Sequence, residues 1–315
     1  MSPLQVFARK KREQIPLAMV ALSDAPSAQI ACDAGIDAIL VGDSLGNTAL
    51  GYDSTIPVTM DDIAHHLRAV LRGVKSSSRP DVPVIADMPF GSYATPEIGV
   101  QNAVRLMQLG AHAVKIEGTQ GISRSYRGIT GKVFELCRLA GVPVMGHLGY
   151  TPQSSLLFES VVQGKRAMEG EELLTDAEIL AGAGCFALVL EAMTIDVARE
   201  ITARLPIATV GIGAGKECDG QVLVWHDLVG ITAQPFKMAR AFASTREIWT
   251  DAIRDYCSQV ALSEFPTPQN GWEMSAEEAA AWRRELESPR FDDSDPFADD
   301  EDPISTPEKL DEQPF

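Results

Sequence analysis

Several common signals are missing from this chain of 315 residues, and each absence removes a class of function. No apolar run approaches the roughly 18 residues of a membrane span, so no membrane role is expected. The opening stretch, Met1 to Gln14, is basic but lacks the apolar segment of a secretory signal. The cysteines, Cys32, Cys137, Cys185, Cys218 and Cys257, are few, odd in number and dispersed, with no C-x-x-C pair. That argues against a disulfide framework and suits reduced thiols in a cytoplasmic protein. Basic residues are also scarce, 27 Lys and Arg against 44 Asp and Glu. The chain therefore lacks the basic footprint of a nucleic-acid binder.

The formal charge of −17 is unevenly placed. From Gly271 onward there are 15 acidic and 4 basic residues, so −11 belongs to that stretch and −6 to the rest. Ser275-Ala276-Glu277-Glu278 is a capping-box pattern that predicts a helix over Ala276 to Glu287. Beyond Ser288 the chain is rich in Asp, Glu, Pro and Ser, too polar to offset the entropy of ordering. A catalytic domain over 1–265 and a helical, then disordered, solvated acidic tail over 266–315 are expected.

What is present is a series of short apolar runs, most of which stop on a residue suited to chemistry. Ile36 to Gly42 ends at Asp43 and Ser44, and Val82 to Ala86 ends at Asp87. His112-Ala113-Val114 leads into Lys115-Ile116-Glu117, and Val142 to Gly146 leads into His147. Phe186 to Leu190 ends at Glu191, and Ile207 to Val210 opens into Gly211-Ile212-Gly213-Ala214-Gly215. Parallel strands buried on both faces read as continuous apolar runs. An Ile15–Ala21 run precedes them and Val222–Trp225 follows.

Helical patterns fall between the runs, over Ser27–Ala34, Met60–Val74, Pro96–Leu109, Lys132–Ala140, Glu171–Ala183 and Ile195–Leu205. Thr59 and Thr95 are the expected N-caps of the second and third. The alternation leaves a closed barrel or an open doubly wound sheet. An open sheet concentrates its ligands at one switch point, whereas these candidates run from the second strand to the seventh. The fold expected is a (β/α)8 TIM barrel, whose chemistry sits at the carboxyl ends of the strands.

Asp43, Asp87 and Glu117 would then converge as three carboxylates at one mouth. Mutual repulsion requires a cation there, and all-oxygen ligation points to Mg²⁺. Because Mg²⁺ takes one or two direct carboxylates, one of the three is free to act through water. Lys115 and Glu117, two apart on a strand, face the same side. Lys115 is placed to neutralise an anionic substrate group. Glu191 ends a different strand in apolar surroundings, which suits a general base, and His147 is placed to polarise a carbonyl or hold substrate. His65, His66, His112 and His226 are left out of the site. The G-x-G-x-G run follows the seventh strand, not the first, so it reads as a close-approach loop and not as a dinucleotide fingerprint.

These stretches together resemble the ketopantoate hydroxymethyltransferase family from about Pro16 to Phe265. Val41-Gly42-Asp43-Ser44-Leu45-Gly46, Ser54 to Thr59, Ala86-Asp87-Met88-Pro89-Phe90 and Lys115-Ile116-Glu117-Gly118 carry the resemblance. So do Gly146 to Gln153, Val162-Gln163-Gly164-Lys165, Leu190-Glu191, Gly211 to Gly215 and Cys218 to Val224. The resemblance implies a barrel of the phosphoenolpyruvate mutase/isocitrate lyase type, Mg²⁺, 5,10-methylenetetrahydrofolate as cosubstrate and a homo-oligomer, a decamer. It implies hydroxymethyl transfer to 3-methyl-2-oxobutanoate, giving 2-dehydropantoate in pantothenate biosynthesis. On matched positions Asp43, Asp87 and Glu117 form the metal group. Asp43, Ser44, Asp87, Lys115 and His147 contact the 2-oxo acid, and Glu191 is the base. The chain departs from the family pattern at Ala21-Leu22-Ser23-Asp24 and at Ala192-Met193-Thr194. A Mg²⁺-dependent lyase or aldolase acting on a different 2-oxo acid is the alternative, because metal, Lys115 and base serve either reaction.

Overall fold

Each expected apolar run becomes a strand, and together they close on themselves. A computed structural model describes residues 2–118, 129–233 and 237–287. Helix α1 (Gln5–Glu13) precedes strand β1 (Leu17–Ala21), helix α2 (Ala25–Asp33) and strand β2 (Ala38–Val41). Short α3 (Leu45–Thr48) and long α4 (Met60–Ser76) lead to β3 (Val84–Asp87), α5 (Pro96–Gln108) and β4 (Ala113–Glu117). Then come α6 (Ile129–Leu139), β5 (Val144–Gly149), a 3-10 turn (Pro152–Leu157), α7 (Ala167–Gly182) and β6 (Ala187–Glu191). Helix α8 (Ile195–Arg204), β7 (Ala208–Ile212), β8 (Gly220–Val224), α9 (Trp225–Leu228) and α10 (Thr245–Ala261) follow. A 3-10 turn (Pro268–Asn270) and α11 (Ala276–Glu287) end the described part. The strands form a closed parallel barrel in the order β1 to β8, with β8 pairing back onto β1.

The chain divides into two compact units, Met1–Thr250 and Asp251–Phe315. The first contains the barrel. In the second, α11 has the bounds expected from the capping pattern, with the Glu278 N–H donating to Ser275 Oγ at 3.2 Å. The expectation of a disordered acidic tail beyond Ser288 lies outside the described residues. Among the described residues no helix is long and apolar enough to cross a membrane.

The helices start where side chains can satisfy free N–H groups. Thr59 accepts from the Asp62 N–H and Asp62 reaches back to the Thr59 N–H, a reciprocal cap on α4. Thr95 caps α5, with Pro96 in its first turn. Asp24, passed over in the sequence, caps α2 through the Ser27 N–H at 2.8 Å, so that helix starts two residues before the expected position.

Strand parity sorts the core. Successive side chains on a strand point to opposite faces. Met19, Ala21, Ala38, Leu40, Ile85, Ala113, Met145, Ala187, Val189, Ala208, Val210 and Val222 fill the barrel interior. Their neighbours Val20, Ile39, Val41, Val84, Ala86, Val114, Ile116, Leu188 and Leu190 pack outward under the helices. The basic opening segment, which carried no structural expectation, forms α1 and stoppers the amino-terminal end of the barrel. Phe7 is 1% exposed, with its ring centroid 5.2 Å from that of Phe186. Lys10 Nζ lies 2.6 Å from Asp37 Oδ2 and Lys11 Nζ lies 2.7 Å from Asp219 Oδ2, tying the helix to residues that precede β2 and β8. Between β7 and β8 there is only the loop of residues 213–219. Glycines at the end of β7 and in this loop are sites of close approach: a Cβ at Gly211 would lie 2.9 Å from Cys218 Sγ, and one at Gly213 would lie 2.9 Å from Met238.

Helices α2 and α4 touch at Gly73, where an added Cβ would lie 2.1 Å from the Ala25 carbonyl oxygen. Gly to Ala inside a helix ordinarily gains about 1 kcal/mol. Here the backbone contact outweighs that gain, because overpacking typically costs about 1–3 kcal/mol and the obstacle is a carbonyl that cannot rotate away. We expect Gly73→Ala to lower the urea midpoint and the melting temperature. A neutral or stabilising effect would contradict the close packing of these helices.

Candidate active site

The parity that fills the barrel also builds its mouth. Ala113, Lys115 and Glu117 alternate inward on β4, as do Ile85 and Asp87 on β3. Met145 and His147 do so on β5, and Ala187, Val189 and Glu191 on β6. The inward residues near the carboxyl ends are thus polar where those below them are apolar. Register sets the neighbours: Asp87 pairs with Lys115, Glu117 with His147, and Gly149 with Glu191. Asp43 lies beyond the end of β2, on the loop that leads into α3, and its backbone N–H donates to Asp87 Oδ2 at 3.0 Å. Ser44 occupies the N-cap position of α3 and is half-buried.

Lys115 lies at the centre. Its Nζ donates to Asp87 Oδ1 and, at 3.3 Å, to Glu117 Oε1. His147 lies between two carboxylates, with Nδ1 3.2 Å from Glu117 Oε1 and Nε2 3.3 Å from Glu191 Oε2. Neither ring nitrogen is aligned for a hydrogen bond, so these are charge contacts. The Gln153 backbone N–H donates to Glu117 Oε2 at 3.1 Å, and its Nε2 donates to Asp43 Oδ2 at 2.8 Å. Asp43, Asp87, Lys115, Glu117, His147 and Gln153 are all buried, whereas the Glu191 side chain keeps 14% of its surface. Glu191 is also fixed through its backbone. Its carbonyl accepts from the Tyr150 N–H at 2.8 Å, and Ala192 beside it adopts φ 45°. A Cβ at Gly149 would lie 2.1 Å from that same carbonyl oxygen, so the approach requires glycine.

Burial, then the charges of Asp87 and Glu117, hold the Asp43 carboxyl well above its usual range. Asp87 is raised too, mainly by burial, against the opposing pull of Lys115. Glu117 goes the other way: burial works against ionisation, but Lys115 and His147 bring it down to about 2. Lys115 is raised because Asp87, Glu117 and Asp43 together outweigh the cost of burying it. His147 would be lowered by burial, yet the Glu117 charge prevails and lifts it to about 9. The mouth holds four carboxylates (Asp43, Asp87, Glu117 and Glu191) and two cations (Lys115 and protonated His147). It is therefore short of positive charge, and the shortage falls on Asp43 and Asp87.

That distribution bears on the expected metal. The three acids do gather, but among the described residues no trio of His, Cys, Asp and Glu side chains is spaced to hold an ion. Glu117 is taken up by Lys115, His147 and the Gln153 N–H. The donors left short of cationic partners are two carboxylates, an all-oxygen pair that suits Mg²⁺, which commonly binds one or two carboxylates and keeps waters.

These groups open onto a cavity of about 610 Å³, reached also by Ser44, Thr55, Tyr150, His226, Met238 and Arg246. All the residues singled out in the sequence therefore meet in one space. Two contributors were not anticipated. His226 was set aside, yet it lines the cavity just after β8. Gln153 carried no role, being in a turn outside the strand-end pattern; the only signal was its place directly after the His147 strand. The exclusion of His112 agrees with its contact, since its Nδ1 accepts from the Val84 N–H at 3.0 Å at the amino end of the barrel. His66 Nδ1 is bonded to the Ser23 carbonyl at 2.7 Å.

With the geometry described, comparison with known proteins places it. A family model described as ketopantoate hydroxymethyltransferase matches residues 2–268. The 3-methyl-2-oxobutanoate hydroxymethyltransferase of Chloroflexus aurantiacus is 45% identical over 275 residues, covering 87% of this chain and 92% of the relative. That of Moorella thermoacetica is 46% identical over 274 residues, covering 85% and 96%. Among solved structures, phosphonopyruvate hydrolase aligns with a TM-score of 0.57 at 14% identity, over 91% of this chain and 98% of that one. The 2,3-dimethylmalate lyase, a PEP mutase/isocitrate lyase superfamily member, aligns with a TM-score of 0.53 at 16% identity, over 91% and 99%. These structural likenesses bear on the fold alone, which is the expected barrel type.

His147 provides a pH test of the charge arrangement. Its folded value of about 9 lies above the unfolded value. Its contribution to stability is therefore complete below about pH 6.5 and is lost as pH rises through the folded value. At about 1.4 kcal/mol per pKa unit, the effect amounts to a few kcal/mol. The melting temperature of metal-free protein is expected to fall between pH 6.5 and 9.5, and to fall less steeply in His147→Asn. Equal slopes for the two proteins would contradict this placement of the imidazole charge.

Proposed function

This chain belongs to the ketopantoate hydroxymethyltransferase family, and from that membership we propose how its cavity performs the reaction. The protein is a one-carbon transferase that adds a hydroxymethyl group to 3-methyl-2-oxobutanoate, giving 2-dehydropantoate in pantothenate biosynthesis. The one-carbon donor in this reading is 5,10-methylenetetrahydrofolate, and the metal is Mg²⁺.

Asp43 and Asp87 would hold the Mg²⁺, with Glu117 acting behind them through Lys115, His147 and Gln153. When bound, the ion supplies Lewis-acid polarisation of the substrate ketone, worth several kcal/mol. Lys115 and protonated His147 offset the charge of the substrate carboxylate, and Ser44 offers a hydroxyl donor beside Asp43. Glu191 accepts the proton from C3, the carbon next to the ketone. The electron pair left on C3 forms the new bond to the one-carbon unit as its two C–N bonds to the folate break. Water supplies the hydroxyl group, and the folate nitrogens take up the C3 proton and the second water proton, releasing tetrahydrofolate. Supporting this division of labour, Glu191 lies two strands from Lys115, forms no ion pair with it, and is the carboxylate of the cluster that keeps the most exposed surface within the cavity.

A homo-oligomer, with a decamer as its finer form, fits the exposed apolar side chains Ile248, Trp249, Ile253, Tyr256 and Val260 along α10. A cytoplasmic setting fits five free cysteines.

The observation that carries the reading is Glu191 opening onto the same cavity as the under-compensated pair Asp43 and Asp87. Proton NMR of 3-methyl-2-oxobutanoate in D₂O tests it. We expect exchange at C3 with enzyme and Mg²⁺, abolished by EDTA. Glu191→Gln should slow it roughly 100-fold or more, the range of a general base. Absence of exchange with intact, metal-loaded protein, or exchange at the wild-type rate in Glu191→Gln, would overturn the assignment of the base.

A further inference from the structure

We propose that Gln153 is a positioning residue that holds the Asp43 carboxylate in the orientation the metal requires, with Tyr93 acting through it; the proposal rests on the Mg²⁺ reading above. Gln153 is 5% exposed and uses its whole amide. Its Nε2 donates to Asp43 Oδ2 at 2.8 Å and to the Met88 carbonyl at 2.9 Å, and its Oε1 accepts from the Tyr93 hydroxyl at 2.6 Å.

The direction of that amide is determined by its partners. A carbonyl always accepts, and so does an ionised carboxylate, so both must face the NH₂ group. The Met88 carbonyl, which can only accept, shares Nε2 with Asp43 and so fixes that end as the NH₂ group, leaving the oxygen to accept from Tyr93. Neither a flipped amide nor a glutamate satisfies all three. The backbone of the same residue donates to Glu117 Oε2 at 3.1 Å. One residue thus braces Asp43, the segment just after β3 and Glu117, from a turn that follows β5.

Asp43 needs such a brace because it is not on a strand. Asp87 and Glu117 are aimed by strand parity, whereas Asp43 lies in the loop past β2. Partners that orient a metal-binding carboxylate without touching the ion typically account for about 10–100-fold in metal affinity or activity.

The test is Mn²⁺ binding to the full chain, followed by the EPR signal of the free ion with no substrate present, alongside circular dichroism to monitor folding. We expect wild type to bind, Gln153→Ala to bind roughly 10–100-fold more weakly, and Gln153→Glu to be weakened as well. Tyr93→Phe should weaken binding by a smaller factor on its own and have no further effect in the Gln153→Ala background. Folded Gln153→Ala with wild-type affinity, or a Tyr93→Phe effect of equal size in both backgrounds, would overturn the proposal while leaving the metal reading intact. Wild-type protein that binds no Mn²⁺ would overturn the metal reading and the proposal with it. Should Gln153→Ala fail to fold, Tyr93→Phe alone decides: weakened binding supports the proposal, and unchanged binding overturns it.

Discussion

A lysine almost without solvent contact is tolerable only where carboxylates surround it, and the mouth of this barrel is organised around that requirement. Lys115 is 3% exposed and lies against Asp87 and Glu117. Burying any one of these charges alone would cost several kcal/mol, so each is retained only because the others are present. The cluster does not reach neutrality by itself. Glu117 has two cationic neighbours, Lys115 and His147, whereas Asp87 has Lys115 alone and Asp43 forms no ion pair among the described residues. The electrostatic need at the mouth is therefore local, and it falls on Asp43 and Asp87, whose carboxyls are both raised.

The geometry that assembles this cluster is simple. A strand buried on both faces sends alternate residues into the barrel, and closure brings the ends of adjacent strands together. Asp87 against Lys115 and Glu117 against His147 are register pairs, so their contacts follow from backbone pairing before any side chain adjusts. The apolar layers below, from Met19 to Val222, and the α1 stopper with Phe7 keep water out from beneath. A low-dielectric floor under the polar layer strengthens every charge contact above it. The core and the site are in that sense one construction.

Much of this was legible in the sequence because the code is local. All seven anticipated residues are chemical groups placed where apolar runs stop, and a run that stops on a polar residue is visible without a structure. Helix starts at Thr59 and Thr95 were equally local, and both caps form as expected. Gln153 was not legible, because its role comes from three partners contributed by distant parts of the chain. Nor was α1, whose single buried aromatic gives no clear periodic face. Helix α10 escaped for a related reason: none of its apolar residues is buried among the described residues, so no core-facing stripe marks it. The three acids of the expected metal group were legible, but the contacts of Glu117 with His147 and the Gln153 N–H were not, since they cross from one strand to another part of the chain.

The remaining step is why Glu191 stands apart from the other carboxylates. A base must be free to accept a proton, and a group held by a buried lysine is not. Glu117 is pinned by two cations and a backbone N–H, and Asp87 by Lys115. Among the described ion pairs Glu191 meets the cluster through His147, on its far side from Glu117, and it is paired in register with Gly149, whose missing side chain leaves room for the Glu191 carbonyl. Glu191 lies across the imidazole from the rest of the cluster, whose lysine pairs with Asp87 and Glu117. Its rigid backbone, set by the Tyr150 contact and the left-handed Ala192, then aims a partly exposed carboxylate into the cavity. One edge of His147 thus meets Glu117 and the other meets Glu191, the proton acceptor of the proposed mechanism, and strand pairing is what lets a single residue reach both.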